Sequence, residues 1–341
     1  MKKHFYLFAL LFIAASTVKA TVLTVSNDSK KPASYTSINS AMSAAKNGDT
    51  LFVLGTNTSY GNVAVKKHLT LIGQGHHPVN VNVSATTVDY IDFYTDSVTI
   101  IGFYVNQNIN YNSKVKASNI DIERCYVTYS ISINDSSANW LIADNFIFDL
   151  SGPSSSAVGS VLILNNVFFR YSVNGFVGNV SIKNNLFLNT SSLSYLTNAT
   201  ISNNIFYGTA AVSSTIDKSS FKNNITLKTP GSGASAVDSI PNGTNTGSGN
   251  FISKDPSFLK IDPNNRYDEF SVNNDYHLKS SSVGHNAGTD GTDVGPFGGS
   301  KPLNSYGGDP ALPLITEFDI VNDVVPQGGT LNFTIKAKKQ Q

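Results

Sequence analysis

Ile163-Leu164-Asn165-Asn166-Val167-Phe168 and Ile182-Lys183-Asn184-Asn185-Leu186-Phe187 are two copies of one phrase, and that phrase decides the fold. Further copies are Ile142-Ala143-Asp144-Asn145, Ile201-Ser202-Asn203-Asn204 and Phe221-Lys222-Asn223-Asn224, and a weaker one, Ile122-Glu123-Arg124-Cys125, precedes them. Their first residues are separated by 20, 21, 19, 19 and 20 positions. A fixed period near twenty means stacked repeats rather than one globular core. Two residues before each phrase stands another apolar residue (Ile120, Trp140, Val161, Val180, Ala199), and two after the asparagine another (Val127, Ile147, Phe168, Phe187, Phe206). Period two belongs to strands, not helices. A leucine-rich repeat has a similar period, but its fixed leucine pattern and return segment are absent. The reading is a parallel β-helix in which each coil supplies two or three short strands and successive coils stack about 4.8 Å apart.

Asn145, Asn166, Asn185, Asn204 and Asn224 then have a structural task. An asparagine at a tight bend tolerates left-handed backbone, and its amide can bond the equivalent amide of the next coil, giving a ladder. Cys125 occupies the same column as a small buried residue, with Phe103 closing the early end.

Residues 1–20 read as a secretory leader: Lys2, Lys3 and His4, an apolar run over 5–15, and a small-residue cleavage site at Val18-Lys19-Ala20. The run is too short for a membrane span, and Thr21 in place of cysteine excludes lipid attachment by the lipoprotein route. The expected location is therefore outside the inner membrane, at the cell surface, in the periplasm or beyond. Removing the leader leaves 321 residues with 21 Lys and Arg against 23 Asp and Glu, a formal charge of −2. A near-neutral chain with three arginines is not built for nucleic acid. One cysteine permits no internal disulfide, so ladders and stacked side chains must supply the stability.

Ile38, Ala41, Met42 and Ala45 have helical spacing between a Ser/Thr start and Gly48. This short helix is expected to plug the open N-terminal end of the stack. It is followed by Gly48-Asp49-Thr50-Leu51-Phe52-Val53 and Lys67-His68-Leu69-Thr70-Leu71-Ile72-Gly73-Gln74-Gly75. Near the other end stand Asp255-Pro256-Ser257-Phe258, Asn274-Asp275-Tyr276-His277-Leu278-Lys279, Ser282-Val283-Gly284-His285-Asn286-Ala287-Gly288 and Asp293-Val294-Gly295-Pro296-Phe297-Gly298-Gly299. Together with the coils, these stretches resemble secreted right-handed β-helix proteins of the pectin-lyase-like superfamily over residues 22–300. The resemblance implies right-handed coils, in keeping with the usual crossover hand. The fold class is all-β, a right-handed parallel β-helix of eight or nine coils with an N-terminal capping helix and a C-terminal strand pair. The expected organisation is a leader 1–20, β-helix 21–300, linker 301–311 and β tail 312–341. Early strands are expected at 79–83, 88–93 and 98–105, and a Gly/Ser/Asn/Pro-rich loop at 229–249. The tail, two strands joined through Pro326-Gln327-Gly328-Gly329, is too small to fold alone.

The resemblance also implies a chemistry to look for. Lyases of that superfamily use a Lys or Arg base and often calcium held by acids; hydrolases use two or three close aspartates. No acid recurs in register on adjacent coils. The catalytic candidates are Arg124 with Lys183 or Arg170. No resident cofactor or metal is expected, calcium entering only if the chain is a lyase. His76 and His77 read as an exposed loop pair, His277 and His285 as structural, and Asp290-Gly291-Thr292-Asp293 as a turn.

One surface needs an explanation. If Ile147, Phe168, Phe187 and Phe206 point inward, their outward neighbours are apolar as well. One outward column is Phe146, Val167, Leu186, Ile205 and Ile225, the other Phe148, Phe169, Leu188, Tyr207 and Leu227. An open strip of that size exceeds what monomers expose. The C-terminal pair is the expected cover, ahead of a partner or self-association, and ahead of glycan rings stacked on Phe148, Phe169 and Tyr207. Two function classes follow. The first is a non-catalytic exported protein that binds polysaccharide or a cell-envelope protein along its strand face. The alternative is a lyase acting on an acidic polysaccharide, which rests on fold analogy.

Overall fold

A computed structural model describes residues 20–76, 84–111, 116–134, 137–154, 156–171, 173–188, 192–208, 211–212, 215–227, 240–262, 271, 273–305, 307–308, 313–320, 325 and 327–339. Most of the expected leader, the expected strand at 79–83, His77 and most of the expected loop at 229–249 lie outside these residues.

The chain winds into a right-handed parallel β-solenoid of about eight turns. Alternation sets which side chains turn inward. One inward column runs from Leu51 through Leu71, Ile100, Ile122, Ile142, Ile163, Ile182 and Ile201 to Phe221, each residue beside its equivalent on the next coil. All of them are fully buried. In the next sheet Phe168, Phe187 and Phe206 stack nearly parallel, with ring centroids 4.9 and 4.7 Å apart. That separation is the coil spacing itself, so the backbone ladder and the aromatic stack share one repeat. Trp140 is buried edge-on to Phe93, with ring centroids 5.9 Å apart, and its indole N–H donates to the Ala117 carbonyl at 2.8 Å.

The helix Ile38–Ala44 covers the first coils with Ile38, Ala41 and Met42. Ser37 caps it by accepting from the Ser40 amide. Lys67 reaches its other end and donates to the carbonyls of Ser43 and Ala45, a cation placed where the helix carries its negative pole. Amphipathic spacing thus makes the element, and burial of one face against the solenoid's open end holds it.

The two asparagines of each phrase do different jobs. The second forms the ladder. Nδ2 of Asn145, Asn166, Asn185, Asn204 and Asn224 donates to Oδ1 of the next member, the last of which is Asn250, at 2.9–3.0 Å. Each of those oxygens also accepts the backbone N–H of the preceding member. The Cys125 amide starts the series on Asn145. Left-handed backbone, however, falls on the position before: Arg124, Asp144, Asn165, Asn184, Asn203 and Asn223 have φ between 51° and 60°. The expectation that one asparagine both bends and ladders is corrected. The left-handed residue turns its side chain out of the coil, and the next residue points in.

Outward-pointing asparagines need partners, and a segment from the far end of the chain supplies them. After the last coil the chain doubles back along the outside of the stack. Asn223 donates to the Ala287 carbonyl, Asn203 to the Thr289 hydroxyl, Asn184 to the Asp293 and Gly295 carbonyls, and Asn165 to those of Pro296 and Gly298. Asp144 accepts the Asn304 amide, and Gly307 lies against Arg124 and Gly102. This return strap therefore crosses one coil after another, in reverse order.

The strap and the hairpin before it cover the apolar strip. Phe146, Val167, Phe169, Leu186, Leu188, Ile205, Tyr207 and Ile225 form a second core with Phe258, Tyr276, Leu278, Val294 and Leu303. Phe148 and Leu227 are partly buried at its border. The C-terminal pair Pro313–Ile320 and Phe333–Lys339 forms a separate antiparallel sheet. Its Ile320, Leu331, Phe333 and Ile335 remain about half exposed. The expected cover was thus the wrong segment. The strip is closed by described residues between 251 and 303, among them Phe258, Tyr276, Leu278, Val294 and Leu303, a set of apolar contacts placed by tertiary structure.

Candidate functional site

The three catalytic candidates do not meet. Arg124 and Lys183 sit on strand ends of different coils: Glu123, beside Arg124, is in register with Ala143, Leu164 and then Lys183. Three coils separate them, roughly 14 Å at the interstrand spacing. Each is engaged with a carboxylate. Arg124 Nε lies 2.9 Å from Asp144, and Lys183 Nζ 2.8 Å from Asp290 of the strap. Arg170 lies in the bend after the strand Val167–Phe168 and places its guanidinium 5.9 Å from the Phe148 ring centre. The Asp290–Asp293 turn is thereby a docking point of the strap. His285 pairs with Asp293 at 2.9 Å, and His277 pairs with Asp275 and stacks on Phe297. His76 is not an exposed loop residue: it is buried among Tyr126, Phe146 and Gly307.

What the structure does bring together is a latch where the strap ends. Lys301 pairs with Glu123 at 2.7 Å, and Asp144 holds both Arg124 and the Asn304 amide. Asp121, two residues before Glu123 on the same face, has its carboxyl pushed up by burial and by Glu123. Burial pushes the Asp144 carboxyl up to about 7, against the pull of the Asn304 amide and Arg124. An acid with a raised folded value binds more protons folded than unfolded. Its stabilising contribution is full below about pH 4 and is lost as pH rises through the folded value. The three-unit gap corresponds to roughly 4 kcal/mol at most. Urea midpoints should therefore fall between pH 5 and 8. Asp144→Asn, which installs the residue found on the following coils, should flatten that slope. A slope unchanged in the variant would show that another group titrates.

A different row faces water. Tyr129 and Tyr171 are 57% and 56% exposed, on either side of Phe148. Their ring centres lie 5.9 and 4.8 Å from that of Phe148. Backbone bonds fix the row: the Tyr171 amide donates to the Phe148 carbonyl, and the Tyr129 amide to Gln107 on the coil before. Polar groups flank it. Asn108 accepts from the Ser130 amide and hydroxyl at 3.0 Å, and Asn174 stands 3.5 Å from Asp149. Phe169 and Tyr207, the other rings expected to be offered to sugars, are buried under the strap. Only Phe148 of that set lies in the row, and Tyr129 and Tyr171 were missed because they sit outside the repeated phrase. Tyr129 stands four residues beyond Cys125 and Tyr171 five beyond Asn166, so the period did not mark them as one row.

Among the described residues, no group of three His, Cys, Asp or Glu side chains converges as a metal site, and no helix is long and apolar enough to cross a membrane. No protein-family model matches the chain, and no curated protein is significantly similar to it.

Proposed function

We propose that this chain is an exported, non-catalytic binding protein that holds polysaccharide on the outer face of its second sheet, in the manner that its resemblance to pectin-lyase-like proteins suggests. The observation that carries the reading is the row Tyr129–Phe148–Tyr171 with Arg170 beside it. Neighbouring rings of the row come from successive coils, so their positions follow the coil repeat of about 4.8 Å. Aromatic faces bind the C–H faces of sugar rings, and the Asn, Ser and Asp side chains beside them suit sugar hydroxyls. The supporting physics is rigidity: a ring held by backbone ladders loses little freedom on binding.

Affinity electrophoresis in gels cast with pectate, alginate, chondroitin sulfate or a neutral glucan tests it, with absorbance of unsaturated products followed in parallel. Retardation by at least one polymer is expected, without new absorbance. Tyr129→Ala/Tyr171→Ala should weaken it by about tenfold, the size expected for two exposed stacking rings. Retardation untouched by the double variant would sink the site. New absorbance would make the chain a lyase and turn attention to Arg124, Arg170 and Lys183.

A further inference from the structure

The C-terminal pair stands outside both cores. Its strands Pro313–Ile320 and Phe333–Lys339 pair only with each other, antiparallel, and among the described residues none of the tail belongs to either buried cluster. Every residue from Gln327 to Ala337 is exposed. Of the twelve large apolar side chains that the described surface exposes, four lie between Ile320 and Ile335, so apolar surface gathers on the tail. A lone pair of strands is marginal in water, and three or more are needed to stand alone. Each strand of the tail has one partner strand and so one open edge, which is a template for another strand.

Register and charge say which strand fits. Ile320 stands opposite Phe333 and Phe318 opposite Ile335, positions that share one face. Asp319 stands opposite Thr334 and Glu317 opposite Lys336, positions of the other face. The charges are sorted by strand. Pro313–Ile320 carries Glu317 and Asp319 and no cation, whereas Phe333–Lys339 carries Lys336, Lys338 and Lys339 and no acid. Two like strands set edge to edge would bring acid to acid or lysine to lysine. The open edge of Phe333–Lys339 therefore suits a strand in which acids alternate with apolar residues. The chain contains such a strand, Glu317-Phe318-Asp319-Ile320, but its own copy already fills the other edge. The complementary strand has to come from another molecule.

We infer that two copies of this chain join through their tails, Pro313–Ile320 of one copy adding antiparallel to the open edge of Phe333–Lys339 of the other to make a four-stranded sheet. The new contact repeats the register within each tail: Glu317 of one copy comes opposite Lys336 of the other, and the apolar positions of both tails form one continuous face. The aromatic row takes no part. The test is light scattering coupled to size exclusion, on the full chain without polysaccharide, over a hundredfold range of concentration. The mean mass of the parent is expected to rise towards twice that of one chain. Lys336→Glu/Lys338→Glu gives both strands a net negative charge, and Glu317→Lys/Asp319→Lys gives both a positive one. Each variant alone should keep the mass of one chain at every concentration. Their equimolar mixture should regain the association, because the acidic second strand of one meets the basic first strand of the other. Circular dichroism checks that the solenoid stays folded in both. A parent that keeps the mass of one chain throughout, variants that associate as the parent does, or a mixture no heavier than its components would each overturn the inference.

Discussion

A chain ending at Gly308 is expected to stay folded and to be monomeric, whereas a chain ending at Asn250 aggregates. The first cut removes the C-terminal pair, whose Ile320, Leu331, Phe333 and Ile335 are already half in water. The second keeps the asparagine ladder to its last member but removes the whole cover of the second core. Phe146, Leu186, Ile205, Tyr207 and Ile225, among others, would then open to solvent. Full exposure of a large apolar side chain costs about 1.5–3 kcal/mol, so the five named amount to roughly 7–15 kcal/mol, an upper estimate. That is comparable with the whole stability of an ordinary domain, about 5–15 kcal/mol. Light scattering coupled to size exclusion, with a hydrophobic dye, separates the cases. A soluble, dye-negative chain ending at Asn250 would show that the strap is dispensable. Aggregation of the chain ending at Gly308 would assign the tail a covering role after all.

Asn185→Ala should be the most damaging single substitution in the solenoid, lowering stability by about 4 kcal/mol or more. Asn185 accepts from the amide and side chain of Asn166, and donates to Asn204, to the Ile163 carbonyl and to the Lys183 carbonyl. It is fully buried, so water cannot replace those partners. Each orphaned buried group costs about 1–3 kcal/mol. Asn250→Ala removes similar bonds to Asn224 and Phe221, but its site is partly open and water can enter. It should cost about 1 kcal/mol. Urea midpoints of the two variants measure the contrast. Equal losses would mean that burial, and not the ladder position, is irrelevant to the cost.

Much of the fold was legible because a solenoid repeats its instructions. Every inward residue of the Ile100–Phe221 column meets a residue one period away, so spacing alone names its neighbour. The second asparagine could be read as a ladder member for the same reason. The assignment of left-handed backbone to it failed, since both members of an Asn-Asn pair tolerate that conformation and only the direction of the turn chooses between them. The outward columns at Phe146 and Phe148 were read as apolar surface in need of a cover, but not as a second core.

The sequence by itself determined the coil, its period, its inward columns and the helix at its open end, since those contacts are local in phase and each is written several times. Only the tertiary structure decided what lies on the outside. The strap meets the coils across 64 residues at Asn223, 109 at Asn184 and 178 at Glu123, once each and without a period. It docks largely through its own carbonyls and amides, which every residue carries. A contact made by backbone leaves no mark in side-chain identity, and so the docking of the strap on the outward asparagines became visible only when the chain was folded back upon itself.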